Sequence, residues 1–302
     1  MNVKKSGRWR RIRKSRFFYL MLFPIAVYFV LFNYYPLALG IYSSFHNIRL
    51  LGGMQFTGLT NYTGIVQHPL YRQAFGNTLV VGIFTFFLQF VWGLTIALLL
   101  NEIKKKYIKS AIQSVTYLPY LLSWSVVGGI WILALAPSGF INGFLELING
   151  ENFRRVVFMA EPSYARFIMV FTGAWKGAGY FAVLFLAAIV GMDPNIYEAA
   201  AIDGASRLRQ MFSITLPCIV PTMKVVTMLS VMALLRNFDQ IFVMGNASIY
   251  DKVRNLLYLI YNEGIIKFKI GPATAAATLV LLVTILITFA VRKLIRYDET
   301  YD

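Results

Sequence analysis

The sequence predicts an all-α integral membrane protein with six transmembrane helices and both termini in the cytoplasm. Three observations carry that reading. Residues of the AVILMFWYC set make up 58% of the 302 residues and charged residues only 14%, where soluble proteins run at roughly 45–50% and about 25%. A soluble fold of this length has too little interior to hide that much apolar surface. The apolar residues also come in unbroken runs of about 20 or more, enough to cross a hydrocarbon core of about 30 Å as helix. They lack the period of two that membrane barrel strands show. Finally, 29 Lys and Arg stand against 13 Asp and Glu, and the excess is unevenly shared between alternate loops.

In chain order, residues 1–16 form a basic cytoplasmic segment, and the transmembrane domain runs over 17–291. The first span covers 17–41. Its basic flank is that of a signal peptide, but its apolar stretch of about 25 residues exceeds the 7–15 of a signal core, so it reads as a retained helix. The following spans cover 74–100, 110–135 and 167–190. The fifth, 219–243, is the least apolar, carrying Lys224, Arg236, Asn237 and Asp239. The sixth, 273–291, is the cleanest, and 292–302 is a cytoplasmic tail. Many aromatic residues, such as Phe17, Tyr34 and Tyr35, fall near span ends, where an interfacial belt is expected.

With the N-terminus inside, 17 of the 29 basic residues fall on cytoplasmic segments and 9 outside; Lys176, Lys224 and Arg236 lie in or at the ends of spans. That is the positive-inside pattern. It removes the main support for nucleic-acid binding that a pI near 9.9 suggests, and leaves the N-terminal run facing anionic lipid headgroups. Cys218 is the only cysteine, which excludes an intrachain disulfide and a cysteine-rich metal site. His46 and His68 lack metal-motif spacing, and no G-x-x-x-x-G-K-[ST], H-E-x-x-H or G-x-S-x-G occurs. The chain is expected to bind no metal or cofactor and to catalyse no reaction itself.

The cytoplasmic loop 192–217 is the most informative stretch. Asp193 can cap a helix and Pro194 fits its first position. A short helix follows through Tyr197, Glu198, Ala199, Ala200, Ala201 and Ile202, which Gly204 is placed to end. A second helical piece shows Leu208, Met211 and Phe212 at i, i+3 and i+4, and Pro217 and Pro221 mark its junction with the fifth span. Two readings remain open on the residues alone: a loop packed on its own bundle, or an alanine-surfaced knuckle that a partner approaches.

Glu198-Ala199-Ala200, three residues, Gly204, nine residues and Ile214-Thr215-Leu216-Pro217 resemble the EAA loop of the permease subunits of bacterial ABC importers. Asp203 and Ala205 extend the likeness to sugar permeases. The start, from Phe17-Phe18-Tyr19-Leu20 to Phe32-Asn33-Tyr34-Tyr35-Pro36, with Trp175-Lys176-Gly177 and Phe238-Asp239-Gln240, resembles the polysaccharide and oligosaccharide branch. The resemblance implies the type I importer permease fold in the bacterial cytoplasmic membrane. It implies a second homologous permease subunit, two cytoplasmic ATPase subunits that use ATP and Mg, an extracytoplasmic solute-binding protein and a carbohydrate substrate. Residue by residue, it implies that Tyr197, Glu198, Ala199, Ala200, Asp203, Gly204, Ala205, Phe212, Leu216 and Pro217 form the ATPase-coupling surface. Glu198 would face a basic or polar group of the ATPase. The outer loops, of 28 to 32 residues, are long enough to dock a binding protein. An ion-coupled secondary transporter without an ATPase is the alternative, although the inverted repeats common in such folds are not evident.

Polar groups inside the membrane are the candidates for a substrate path. Arg236 and Asp239 are i, i+3 and can share a helix face as an ion pair; Asn237 and Asp239 can instead line a pore and meet sugar hydroxyls. Lys176 can snorkel to headgroups or contact substrate. Gln89 is a further pore candidate. Trp175 and Phe238 can stack on sugar rings or serve as packing.

Overall fold

Long apolar stretches set where the helices run, and proline and polar residues set where they break. The computed structural model describes residues 15–49, 52–150 and 153–297; the expected basic segment 1–16 and tail 292–302 lie partly outside the described residues. The chain divides into two units, one of residues 1–65 with 263–278 and one of residues 66–262 with 279–302.

The first unit holds α1 (Arg16–Phe29), a π-turn (Val30–Tyr34) and α2 (Tyr35–Ser44) in one helical run. Pro24 lies inside α1 and Pro36 near the start of α2. Apart from Ser44 at its end, no residue of this run is buried, as suits a helix whose surroundings are lipid or another chain. An antiparallel hairpin follows, β1 (His46–Arg49) against β2 (Gly53–Phe56), with His46 opposite Phe56. This hairpin is a small departure from the all-α expectation. Asn61, on α3 (Thr60–Gln67), anchors it by donating to the carbonyls of Ser44 (2.8 Å) and His46 (3.1 Å). In the same unit Glu263 is buried and bridges Lys267 (2.7 Å) and Lys269 (2.9 Å). Burial alone would raise its pKa; hydrogen bonds from the two ammonium groups outweigh it and hold the carboxyl below its ordinary value.

The second unit is built on α4 (Pro69–Glu102) and the later helix α8 (Pro162–Val190). Between them come α5 (Lys106–Leu121), α6 (Trp124–Ala134) and α7 (Phe140–Asn149). After α8 come α9 (Pro194–Ile202), α10 (Arg207–Gln210), a π-turn (Met211–Thr215), α11 (Leu216–Cys218) and α12 (Val220–Leu234). The chain ends through α13 (Asp239–Met244), α14 (Tyr250–Val253), α15 (Leu256–Tyr261) and α16 (Ile270–Leu294), the last starting in the first unit.

In a membrane, helices gain little by hiding apolar side chains from lipid, so association depends on close packing. That explains α8, the most enclosed helix, whose buried face is rich in Ala165, Thr172, Ala174, Ala178 and Ala182. One core cluster joins α4, α8 and α12 through Ala97, Leu100, Phe181, Phe185, Ile189 and Val226. The other gathers Val81, Ile168, Met169, Ile241, Met244 and Ile249.

Among the described residues, four continuous helical runs, Arg16–Ser44, Pro69–Glu102, Pro162–Val190 and Ile270–Leu294, are long and apolar enough to cross a membrane. The third and fifth expected spans are bent instead of straight. The helices α5 and α6 meet at 100° across Leu122 and Ser123, both extended, three residues after Pro119. A proline removes an intrahelical bond and weakens the helix around it. The Ser123 hydroxyl restarts the helix by accepting from the Val126 N–H (3.4 Å). Arg207–Cys218 and Val220–Leu234 meet at 58°. The stretch 219–243 is interrupted again after Leu234, and a new helix begins at Asp239. Arg236 and Asp239 therefore do not share a helix face, and no ion pair joins them. The polar residues that make this stretch the least apolar occupy its break.

Candidate functional site

The loop 192–217 is an exposed knuckle built from local chemistry. The Asp193 carboxylate caps α9 by accepting from the Asn195 N–H (3.0 Å), and Pro194 occupies the first turn. At the far end the N–H groups of Asp203, Gly204 and Ala205 bond back to the carbonyls of Ala199, Ala201 and Ala200. Gly204 closes this cap at φ +75°, a left-handed conformation that glycine adopts without the Cβ penalty. Ser206 then caps α10 through the Arg209 N–H. Glu198, Ala199, Asp203 and Gly204 are exposed, and Ile202 is 87% exposed. Glu198 has no hydrogen-bond or ion-pair partner among the described residues.

Two bonds brace the knuckle internally: the Tyr197 hydroxyl bonds the Thr215 hydroxyl (2.9 Å), and Gln210 donates to the Ala205 carbonyl (3.2 Å). Arg207 links it to Glu102 at the end of α4 (3.3 Å). Of the other residues singled out in the sequence, Ala200, Ala205 and Leu216 are half-buried, while Phe212 and Pro217 are exposed.

Among the described residues, two cavities bearing charged or amide side chains lie within the helices of the second unit. The first, about 410 Å³, is lined by α4, α8 and α12 together with Tyr120, Trp124, Asn237 and Gln240. The second, about 530 Å³, shares Trp124 and Lys176 with it and is also lined by Ser123, Phe238, Asp239 and Phe242, among others. The structure thus brings Gln89, Lys176 and Asn237 to the first cavity, and Lys176, Phe238 and Asp239 to the second. Trp175 lines neither; it sits edge-on against Trp131, with ring centroids 5.5 Å apart. One residue along a helix turns about 100°, and Trp175 is turned from Lys176 toward Trp131.

The polar side chains of the first cavity are fixed by a network. Gln89 donates to the Gly173 carbonyl (3.0 Å). Gln240 is fully buried, donating to the Met169 carbonyl (2.7 Å) and the Thr172 hydroxyl (2.9 Å) while accepting from Asn237 Nδ2 (2.8 Å). The Asn237 carbonyl accepts from Asn255 Nδ2. Sequence reasoning missed Gln240 as a site residue, although an amide three residues after Asn237 in an apolar stretch was a usable signal. It also missed Tyr120 and Ser230, whose side of the helix only the fold reveals.

The family model described as binding-protein-dependent transport system inner membrane component matches residues 89–296. The polygalacturonan/rhamnogalacturonan transport system permease protein YteP of Bacillus subtilis (strain 168) is 29% identical over 299 residues, covering 96% of this chain and 92% of that protein. Protein LplB of the same organism is 30% identical over 286 residues, covering 92% and 88%. A chain in the crystal structure of a bacterial ABC transporter involved in the import of the acidic polysaccharide alginate superposes with a TM-score of 0.86 at 29% identity. That match covers 95% of this chain and 98% of the other. A second structure of an alginate transporter, in complex with a periplasmic protein bound to an alginate pentasaccharide, gives a TM-score of 0.85.

Proposed function

The chain belongs to the family of binding-protein-dependent transport system inner membrane components, and on that premise we propose how this sugar-importer permease works. It forms half of a translocation pore for an oligosaccharide or polysaccharide fragment, with a second, homologous permease subunit as the other half. Two ATPase subunits dock on the cytoplasmic side and use ATP and Mg; a solute-binding protein delivers substrate on the other. Relatives named for polygalacturonan and alginate transport, and the alginate complex with a periplasmic protein, support this assembly. An importer working without an ATPase has no support among the relatives.

The single observation that carries the coupling role is the knuckle. It leaves Glu198 without a partner among the described residues and Ile202 exposed, while bonds from Tyr197 and Gln210 brace it internally and Arg207 links it to α4. The small side chains of Ala199 and Ala200 let a partner surface approach closely. A push on α9 passes through the Tyr197–Thr215 contact to α11 and α12, whose far end reaches Asn237 and the cavity. ATP binding closes the ATPase pair, the two coupling helices move together, and access to the pore alternates. Affinity purification of this chain from its own membrane tests the assembly. An ABC ATPase and a second permease should copurify in stoichiometric amounts; a chain that purifies alone and still transports contradicts it.

A further inference from the structure

We propose that Lys176 makes the path selective for saccharides that carry a carboxylate, that is, for uronate-containing oligosaccharides. The proposal rests on the reading of this chain as a saccharide-importer permease. Among the described residues lining the first cavity, Lys176 is the only charged one, and it also borders the second cavity. Its ammonium donates to the backbone carbonyls of Pro119 (3.1 Å) and Tyr120 (2.9 Å). The rings of Tyr120 and Trp124 flank it at 5.5 and 5.7 Å.

An ammonium has three donors. Two are used by carbonyls at the bend after α5, and the third has no protein acceptor among the described residues. No carboxylate among the described residues lies within ion-pair distance; Asp239, the acidic residue of the second cavity, is exposed and does not pair with it. A cation at membrane depth is costly unless it meets a partner or a wet cavity. Carbonyl dipoles and ring faces offset part of that cost, and the remaining N–H can meet an anion in the path. One ammonium matches one carboxylate; the dianion of a phosphate ester would keep an unmatched charge. The remaining lining suits the body of a sugar: Phe86, Tyr120, Trp124 and Tyr180 are aromatic, and Gln89 and Asn237 carry amides.

The test uses cells in which the complete transporter is the sole saccharide importer. They are supplied with an equimolar mixture of short neutral and uronate-containing oligosaccharides from starch, arabinan, pectin and alginate, and imported species are measured by mass spectrometry. The wild-type chain should import the uronate-containing members. Lys176→Gln should lower their uptake, relative to any neutral member, by about tenfold or more, the scale of a lost charged hydrogen bond. Lys176→Arg should retain it. Three results overturn the proposal: import of neutral members alone by the wild-type chain, an unchanged ratio in Lys176→Gln, or equal loss of every member in both variants. Import of no member at all, with no ATPase copurifying, overturns the importer reading on which it rests.

Discussion

Gly179→Ala tests the packing that holds the cavity in shape. A Cβ at this position would stand 2.0 Å from the Thr116 carbonyl oxygen, 2.6 Å from its carbon and 2.8 Å from Tyr117 Cα. All three are backbone atoms of α5, so no rotamer change relieves the clash. Ordinary contact begins at 3.4 Å, and α5 must therefore move away from α8 by more than an ångström. Overpacking costs about 1–3 kcal/mol, occasionally more, and a backbone clash belongs at the upper end. The same substitution at Gly76 or Gly129, helical positions where a Cβ meets nothing within 4 Å, should instead gain about 0.5–1 kcal/mol from helix propensity. Thermal unfolding of the three purified variants in one detergent measures the difference. Gly179→Ala should melt below wild type and the two controls at or above it. It should also impair transport, because α5 carries the Pro119 and Tyr120 carbonyls that hold Lys176. Melting of Gly179→Ala together with the controls would refute the reasoning.

The double variant Asn237→Ala, Asp239→Ala should change the KM of uptake, measured with labelled saccharide; unaltered kinetics counts against their place on the path. Gln240→Leu keeps the volume but strips partners from the Met169 carbonyl, the Thr172 hydroxyl and Asn237 Nδ2. It should cost about 1–3 kcal/mol of stability, read as a lower melting temperature. The folded pKa of Glu263 is below its ordinary value of 4.5, so its contribution is present above that pH and fades as pH falls through the folded value. Glu263→Gln should flatten the acid side of the stability profile below about pH 4.5, and an unchanged profile would show that the two lysines do not hold it.

The helices were legible because a membrane span is a composition signal about 20 residues long. Their breaks were less so. Pro119 announced weakness in 110–135, but a bend of 100° depends on what packs on each side. Arg236, Asn237 and Asp239 were read as groups inside a helix, when their polarity marked the end of one. The hairpin at 46–56 escaped because four-residue strands carry too few alternations to register. The knuckle was the most readable part of the site, since Asp193, Pro194 and Gly204 act through neighbours in the chain. The cavity was only half readable. Gln89, Lys176 and Asn237 stand out as polar residues in apolar runs, but Tyr120 and Ser230 join them through tertiary packing, and Trp175 differs from Lys176 only in the direction it faces.

Coupled transport requires the knuckle to transmit ATP hydrolysis to the pore. The most direct measurement compares saccharide uptake with ATP turnover in the complete transporter carrying Glu198→Ala and Gly204→Val. The first change removes the unpartnered carboxylate; the second places a β-branched residue at φ +75°, where it is a conformational outlier. Membrane insertion should be intact and uptake lost, with hydrolysis no longer responding to the substrate-loaded binding protein. Normal uptake at normal ATP turnover would contradict the account.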